Sequence, residues 1–425
     1  MTAENAICLP ANAQDLFNHL SGYLGCNHEI HCVLTLNGQL DFALLKKAAR
    51  LLLNAEPVLG CRLVENQREA YWLKRHDLAH LEICSLRETR DVAGEMERFV
   101  NKPVDSYYDP MLQIKVLRSA ANDVVCIKIN HACCDAGGLK ECVALLASLY
   151  NRLLADDGYL PPANILGRRD HTQVFEQIHV CEARQAWEDE QPERDTWSFP
   201  AASAENCEPQ HVIKKVASRH FKEIQVYARQ QGVTLNDVLV TACYRALFKM
   251  LTPAVDKPMT MLVTVDLRRY VPGGKAGAIC NLSGLVVPAI AWVPGEAFTA
   301  TLAKAAANMR HLKQRAPGLR TAIISEVYEK ISVAALFDWL RSGETKLSSP
   351  IFSNIGVISK DIIRFGEIAA VDGCMIGPAM SAPSSLIAAS TYNDVLTLAM
   401  AFYEPAIPRR QARDFLQLMI EEIPV

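Results

Sequence analysis

Residues 29–64, EIHCVLTLNGQLDFALLKKAARLLLNAEPVLGCRLV, change their apolar pattern twice, and this limits the folds open to the chain. A strand-like apolar run comes first, and Asn37 and Gly38 after it form a strong signal for a tight turn. A helix with Asp41 as its N-cap should follow, with one apolar face: Leu44, Leu45, Ala48, Leu51 and Leu52. A second strand then ends the stretch. This order predicts a mixed α/β unit.

A second strand-to-helix junction lies in VVCIKINHACCDAGGLKECVALL, residues 124–146. The runs QIKVLRS and DVVCIKINHA predict two strands joined by a turn. The helix expected after DAGG has this apolar face: Leu139, Cys142, Val143, Leu146, Leu149 and Tyr150. His131 therefore ends a strand, and Asp135 precedes a helix.

The rest of the chain predicts a second unit of similar composition. Residues 161–210 are polar and rich in proline, which favours a linker. We therefore expect an N-terminal lobe at 1–165, a linker at 166–210 and a C-terminal lobe at 211–425. Strands are predicted in HVIKKVAS, MTMLVTVDLRRY, ICNLSGLVVPAIAWV, PIFSNIGVIS and DVLTLAMAFY. Helices are predicted in RHFKEIQVYARQQ, after a capping-box pattern at Thr234 and Asp237, near 297–313 and at 408–421.

Composition excludes several classes of partner. The formal net charge of −3 and a pI near 6.4 provide no basic field for a nucleic acid. Fourteen cysteines are scattered, mostly in apolar runs, and the N-terminal sequence has no secretory signal pattern, so we expect reduced thiols and a cytoplasmic protein. No apolar run reaches the ~18 residues of a membrane helix, so no membrane span is expected.

Metal binding is one interpretation of the turn at His131. A structural zinc site usually takes its four ligands from pairs spaced like CxxC, whereas Cys133 and Cys134 are adjacent and project in different directions. HEIH, with His28 and His31, lacks the HExxH spacing that directs two imidazoles from one helical face to one ion. We predict no metal ligand at either place.

A cysteine nucleophile and a histidine general base are the catalytic alternatives. Cys134 would have to be activated beside His131, and a cysteine in an apolar run is more often a small buried hydrophobe. A general base requires only one imidazole at a strand end, with an aspartate four residues later to fix the turn. Residue spacing alone leaves this hypothesis open beside a purely structural turn.

The stretch NHACCDAGG resembles the HHxxxDG motif of the CoA-dependent acyltransferase superfamily, which includes chloramphenicol acetyltransferase, alcohol acetyltransferases, polyketide-associated acyltransferases and condensation domains. The second histidine of the motif matches His131 and the aspartate matches Asp135. The glycine falls at Ala136 or, with a shift of one residue, at Gly137, and Asn130 replaces the first histidine. Other segments also resemble parts of the family, and they occur in the same order along the chain. They are NGQLDFALLKKAARLLLNAEPVLGCRLV, GVTLNDVLVTACYRAL, VTVDLRRY, NLSG, FSNIG and TYNDVLTLAMAFY. The resemblance therefore covers nearly the whole chain.

This resemblance implies two chloramphenicol-acetyltransferase-like α/β lobes arranged as a V around a central tunnel, with His131 near its middle. The co-substrate would be an acyl group on CoA or on the phosphopantetheine of an acyl or peptidyl carrier protein, and no cofactor would be bound permanently. The acceptor would be a small-molecule alcohol or amine, whose proton His131 takes. Asp135 would pair with Arg268, the first arginine of VTVDLRRY. Together, Asp135 and Gly137 would keep the turn in shape.

Three asparagines are candidates for polar tunnel lining: Asn130, Asn281 and Asn354. The expected function is that of a free-standing acyltransferase of natural-product biosynthesis, forming an ester or an amide. One alternative is a degenerate member that binds a thioester without chemistry, because Asn130 and Ala136 depart from the motif. Another is a thioester hydrolase that uses Cys134.

Overall fold

The computed structural model describes residues 7–24, 27–188, 197–342 and 349–425. The predicted linker, residues 166–210, is therefore described except for residues 189–196. The division into 1–165, 166–210 and 211–425 stays a prediction.

A six-stranded sheet carries the His131 turn. Its strands, in spatial order, are β14 (Arg364–Phe365), β15 (Ile368–Ile376), β2 (Glu29–Leu36), β7 (Asp123–Asn130), β6 (Leu112–Arg118) and β5 (Cys84–Glu88). The strands predicted from EIHCVLTL, QIKVLRS and DVVCIKINHA are confirmed as β2, β6 and β7, and β7 lies between the other two in antiparallel pairing. β7 is buried along its whole length, including the polar residues Asp123, Lys128 and Asn130.

A second six-stranded sheet comes from the later part of the chain. Its strands, in spatial order, are β11 (Ser283–Val286), β10 (Leu262–Asp266), β13 (Ile351–Val357), β16 (Leu386–Tyr392), β17 (Val395–Glu404) and β8 (Glu208–Val216). Two smaller sheets accompany these, one of β1 (Cys8–Pro10), β4 (Ala70–Lys74) and β3 (Cys61–Glu65), the other of β12 (Ala289–Ala291) and β9 (Pro258–Thr260).

Helices pack against these sheets. The described helices are α1 (Ala13–Gly22), α2 (Phe42–Ala55), α3 (Val92–Asn101), α4 (Ala136–Ala155), α5 (Thr172–Phe175), α6 (Val180–Glu188), α7 (Ser218–Gln230), α8 (Leu235–Leu251), α9 (Phe298–Lys313), α10 (Leu319–Tyr328), α11 (Val333–Arg341) and α12 (Arg409–Glu421). All the predicted helices are present, and the side chain of Asp41 caps α2 by accepting the Leu44 N–H at 3.0 Å. The sequence patterns did not predict six of the described helices: α1, α3, α5, α6, α10 and α11.

The sequence prediction was wrong where it gave two long strands. ICNLSGLVVPAIAWV forms β11 and β12 with Pro288 between them, because proline has no N–H to donate to a ladder. MTMLVTVDLRRY divides into β9, β10 and a short 3-10 helix, Leu267–Tyr270. The Asp266 side chain accepts the Arg268 N–H at 3.0 Å and starts this 3-10 turn, which directs Arg268 out of the strand.

The two six-stranded sheets are joined by exchanged strands and by shared packing. β14 and β15 follow β13 in the chain, yet β15 pairs with β2 of the first sheet, and β16 returns to the second sheet. One buried apolar cluster contains Val33 and Cys126 from the first sheet together with Ile351 and Ala399 from the second. No helix among the described residues is both long and apolar enough to cross a membrane.

The capping box of α8 offers a test of this local analysis. The Thr234 hydroxyl accepts the Asp237 N–H at 3.2 Å, and the Asp237 carboxylate accepts the Thr234 N–H at 2.9 Å. Thr234→Ala should lower the free energy of unfolding by about 1 kcal/mol, measured by urea denaturation. Ser218→Ala is the matched control, because Ser218 makes no capping bond at α7 and should leave the urea midpoint unchanged.

Candidate active site

His131 occupies the tight connection between β7 and α4. Its backbone N–H donates to the His28 carbonyl at 2.6 Å, which continues the antiparallel pairing one residue beyond the strand. Asp135 is the N-cap of α4, with its side chain accepting the Gly138 N–H at 2.9 Å. Asn130 is buried, and its side-chain oxygen accepts the Ala132 N–H at 3.0 Å. These bonds give the five-residue connection a single backbone conformation.

Asp135 and Arg268 form a buried ion pair. Arg268 Nη1 lies 2.9 Å from Asp135 Oδ1 and 3.0 Å from Oδ2, and the carboxylate also accepts the Leu282 N–H at 2.8 Å. Burial alone would raise the pKa of Asp135, but Arg268 and the two backbone N–H groups lower it below its ordinary value. Asp135 is therefore ionised at neutral pH. The Arg268 Nη2 donates to the Cys280 carbonyl at 3.0 Å, which ties the pair to the chain near Asn281.

Gly137 lies against the Arg268 guanidinium. A Cβ added to Gly137 would overlap this group, so no larger residue fits while the ion pair is made. Ala136 is the first residue of α4 and is half-buried. Of the two positions that the resemblance allowed for the motif glycine, the close approach of Arg268 favours Gly137, and this assignment stays a prediction.

Asn281 fixes the orientation of His131. Its side-chain amide is completely buried, and Nδ2 has acceptors on Asp15 at 3.0 Å, on the His131 carbonyl at 2.9 Å and on the Ala132 carbonyl at 3.0 Å. This leaves Oδ1 facing His131 Nδ1 at 3.2 Å. Asn281 thus contacts the catalytic candidate from within the core and does not line the cavity described below.

The same hydrogen-bond network assigns the tautomer of His131. Asn18 Nδ2 lies 3.0 Å from His131 Nδ1, but it also faces the His131 carbonyl at 3.1 Å and Asn281 Oδ1 at 3.5 Å. With hydrogen on His131 Nδ1, every donor in this group has an oxygen acceptor. Nε2 then carries the lone pair. Burial lowers the pKa of His131 below its ordinary value, so the imidazole is neutral near pH 7.

Asp15 anchors this network, and sequence analysis did not find it. Its buried carboxylate accepts from Asn281 Nδ2, from Trp72 Nε1 at 2.9 Å and from Arg169 Nη1 at 2.8 Å. The pattern N-A-Q-D at residues 12–15 is a capping box, so the start of α1 could have been predicted. Nothing in the sequence indicates that Asn18 of this helix meets His131, more than a hundred residues away, or that Asp15 meets Asn281.

His28 and His31 belong to the protein interior. His31 lies in β2 with its ring 5.5 Å from that of His211, in agreement with the predicted strand position. The His28 ring lies 6.2 Å from the His131 ring, and burial together with His131 lowers the pKa of His28 to about 3. His28 therefore adds a second neutral imidazole beside His131, which the sequence did not indicate.

Both cysteines of the turn are packing residues in this geometry. Cys133 and Cys134 are completely buried in the apolar core of the first sheet. Burial raises the pKa of both thiols well above the ordinary value, which disfavours the thiolate needed for nucleophilic attack.

A cavity of about 110 Å³ opens at His131 between the two sheets. Its walls include Gly137 and Lys140 from the start of α4, Thr264 from β10 and Asn354 from β13. Of the three asparagines predicted to line the tunnel, Asn354 is the one that lines this cavity. Its Nδ2 donates to Asn236 at 3.2 Å and its Oδ1 accepts the Gly356 N–H at 3.1 Å. An imidazole at the wall of a cavity between two halves can accept a proton from a molecule bound there.

The condensation-domain family model matches residues 16–263, more than half of the chain. The chain belongs to the condensation-domain family. The predicted membership of the CoA-dependent acyltransferase superfamily is thereby confirmed. Among curated proteins, none matches this condensation domain in sequence.

Solved structures agree in fold at low sequence identity. The first condensation domain of the calcium-dependent antibiotic synthetase is 15% identical, with a TM-score of 0.72 over 99% of this chain and 96% of that chain. The trichothecene 15-O-acetyltransferase TRI3 from Fusarium sporotrichioides is 13% identical, with the same TM-score and coverage. Polyketide synthase associated protein 5 from Mycobacterium tuberculosis is 17% identical, with a TM-score of 0.66 over 98% of both chains. The predicted two-lobed α/β fold is confirmed.

Gly137→Ala tests the close packing at the ion pair. The added methyl group must displace Arg268, so we expect the free energy of unfolding to fall by roughly 1–3 kcal/mol. Gly22→Ala is the control, because a Cβ at Gly22 meets no atom within 4 Å and should change stability by less than about 0.5 kcal/mol. Equal unfolding midpoints for the two variants in urea would contradict the packing role of Gly137.

Proposed function

We propose that this condensation domain is an acyltransferase that moves an acyl group from a CoA or carrier-protein thioester to an alcohol or amine, with His131 as the general base. The observation that carries the proposal is the 3.2 Å contact of the buried Asn281 Oδ1 with His131 Nδ1, because an acceptor oxygen at this position favours the hydrogen on Nδ1 and the lone pair on Nε2. Membership of the condensation-domain family supports acyl transfer as the reaction class.

The chemical step needs no covalent acyl-enzyme. His131 Nε2 accepts the proton of the acceptor hydroxyl or amine as its oxygen or nitrogen attacks the thioester carbonyl carbon. The tetrahedral intermediate then collapses, the carbon–sulfur bond breaks, and the proton held on Nε2 neutralises the departing thiolate. General base catalysis contributes about 10²- to 10⁴-fold, so positioning of both substrates supplies much of the remaining acceleration.

Two residues act on His131 without touching the substrates. Asn281 accepts the Nδ1 hydrogen and stabilises the imidazolium that forms during transfer. Since its Nδ2 already faces three protein oxygens, Asn281 is not available as an oxyanion donor. Asp135, held by Arg268, fixes the turn that positions His131. We assign both Asn281 and Asp135 as positioning residues.

Replacement of His131 tests whether the protein is an enzyme. His131→Ala should lower the rate of acyl transfer by at least ~10²-fold, with much smaller effects on substrate binding and on melting temperature. The assay measures thiol release from an acyl-CoA and from an acylated carrier protein, with a panel of alcohols and amines. His80→Ala, which removes an exposed histidine, is the matched control and should leave the rate unchanged.

The outcomes of this assay separate the three alternatives. A His131→Ala variant as active as the wild type would refute the general-base role. No transfer by the wild type with any donor would favour a degenerate member that binds a thioester. Release of free acid without an acceptor, lost on Cys134→Ala at unchanged stability, would favour the hydrolase.

The pH dependence of transfer tests the role of Asn281. The reaction requires neutral His131, so kcat/KM should fall as the pH drops through the pKa of His131, which burial places below the ordinary value. The Asn281 acceptor raises this pKa, because it stabilises the protonated ring. Asn281→Ala should therefore move the acid limb of the profile to lower pH while lowering kcat. A lower kcat with an unmoved acid limb would leave Asn281 with a structural role only. Asn54→Ala, which removes an exposed asparagine of α2, is the control.

A further inference from the structure

A buried histidine faces two glutamates outside the cavity at His131. His171 lies in the predicted linker directly before α5, Glu326 lies in the last turn of α10, and Glu329 caps the C-terminal end of α10. Glu326 and Glu329 are three residues apart and so project from the same side of the helix. One ligand atom from each of the three residues lies within 4.8 Å of the other two.

Three buried polar atoms of this cluster, on His171 and Glu326, lack partners in the described part of the chain. Among the described residues, neither ring nitrogen of the completely buried His171 has a hydrogen-bond partner, and neither does the buried Oε1 of Glu326. Most buried polar groups in proteins are hydrogen-bonded, because a buried polar group without a partner loses its bonds to water and gains none in return. The three side chains are therefore close together without bonding to each other, which is the arrangement of groups that share a ligand.

The electrostatic environment favours a cation at this place. Two carboxylates and one imidazole are donors that a divalent cation can bind together, and a further carboxylate, that of Asp170, lines the neighbouring cavity. A divalent ion would neutralise the repulsion between the two carboxylates.

We propose that His171, Glu326 and Glu329 bind a divalent transition-metal ion, and that Zn²⁺ is the best match. Zinc accepts imidazole nitrogen and carboxylate oxygen together, whereas Mg²⁺ and Ca²⁺ prefer oxygen alone. Two atoms bound to one tetrahedral zinc at about 2.1 Å lie about 3.4 Å apart, so the glutamates close slightly around the ion. Water supplies the fourth ligand from a cavity of about 540 Å³ that Glu329 and Asp170 line.

The ion would join the linker to α10, and α10 to α1. Glu329 Oε1 accepts the N–H of Ala13, in the first turn of α1, at 3.3 Å. The same helix carries Asp15, the anchor of the network around His131. We therefore assign the metal a stabilising role. This assignment goes beyond the proposed function, and its test does not depend on any acyl-transfer activity.

Titration of the full-length, chelator-treated protein with Zn²⁺ tests the site by isothermal calorimetry. Glu326→Gln, which keeps the shape of the side chain, should lower the affinity for Zn²⁺ by at least tenfold. Glu223→Gln removes a surface charge on α7 and is the matched control with wild-type affinity. At saturation, Zn²⁺ should raise the melting temperature of the wild type by about 3 °C, and that of Glu326→Gln by much less.

Cobalt substitution distinguishes this site from binding to thiols such as the exposed Cys8 and Cys181. Co²⁺ should give visible absorption without the near-ultraviolet charge-transfer bands of cobalt thiolates, and this absorption should be lost in Glu326→Gln. If Glu326→Gln does not fold, Glu329→Gln replaces it, because the Glu329 side chain is exposed. Absence of saturable binding, binding unchanged in the glutamine variant, or thiolate bands would each overturn the proposal.

Discussion

The carboxylate of Asp135 connects the two halves of this condensation domain at the candidate active site. It caps α4 of the first half through the Gly138 N–H, and it accepts from Arg268 and from the Leu282 N–H of the second half. Because a charge buried without its partner is costly, of order 3–5 kcal/mol, neither half can move away while this turn keeps its shape. The absence of a side chain at Gly137 is a consequence of the same contact.

His131 depends on a second buried carboxylate, that of Asp15. Asp15 holds the Asn281 amide, and Asn281 in turn faces His131 Nδ1, so three elements far apart in the chain set the tautomer of one imidazole. A buried polar network of this kind is stable only when all its members have partners. In the proposed function, Nε2 is consequently the ring nitrogen that accepts the substrate proton, and His131 lines the cavity between the sheets.

The cluster around His171 contrasts with this network, because three of its buried polar atoms have no partners among the described residues. The two places are nevertheless connected through α1, whose first turn contacts Glu329 and whose Asp15 anchors Asn281. The Glu329 contact therefore joins α10 to the helix that supports the candidate base. A structural ion at one place would preserve geometry at the other without taking part in the chemistry.

The sequence determined the local structure. Apolar periodicity, one capping box and the Asn37 turn predicted the core strands and half of the described helices. The motif resemblance identified His131, Asp135 and Arg268, and the ion pair between Asp135 and Arg268 is present in the structure. The periodicity and capping signals each span only a few neighbouring residues, and the three site residues belong to motifs of the family. Only the tertiary structure placed β15 in the first sheet and brought Asn281 to His131. Such contacts join segments that lie far apart in the chain. They form only when both sheets pack together, and no local sequence pattern encodes that packing.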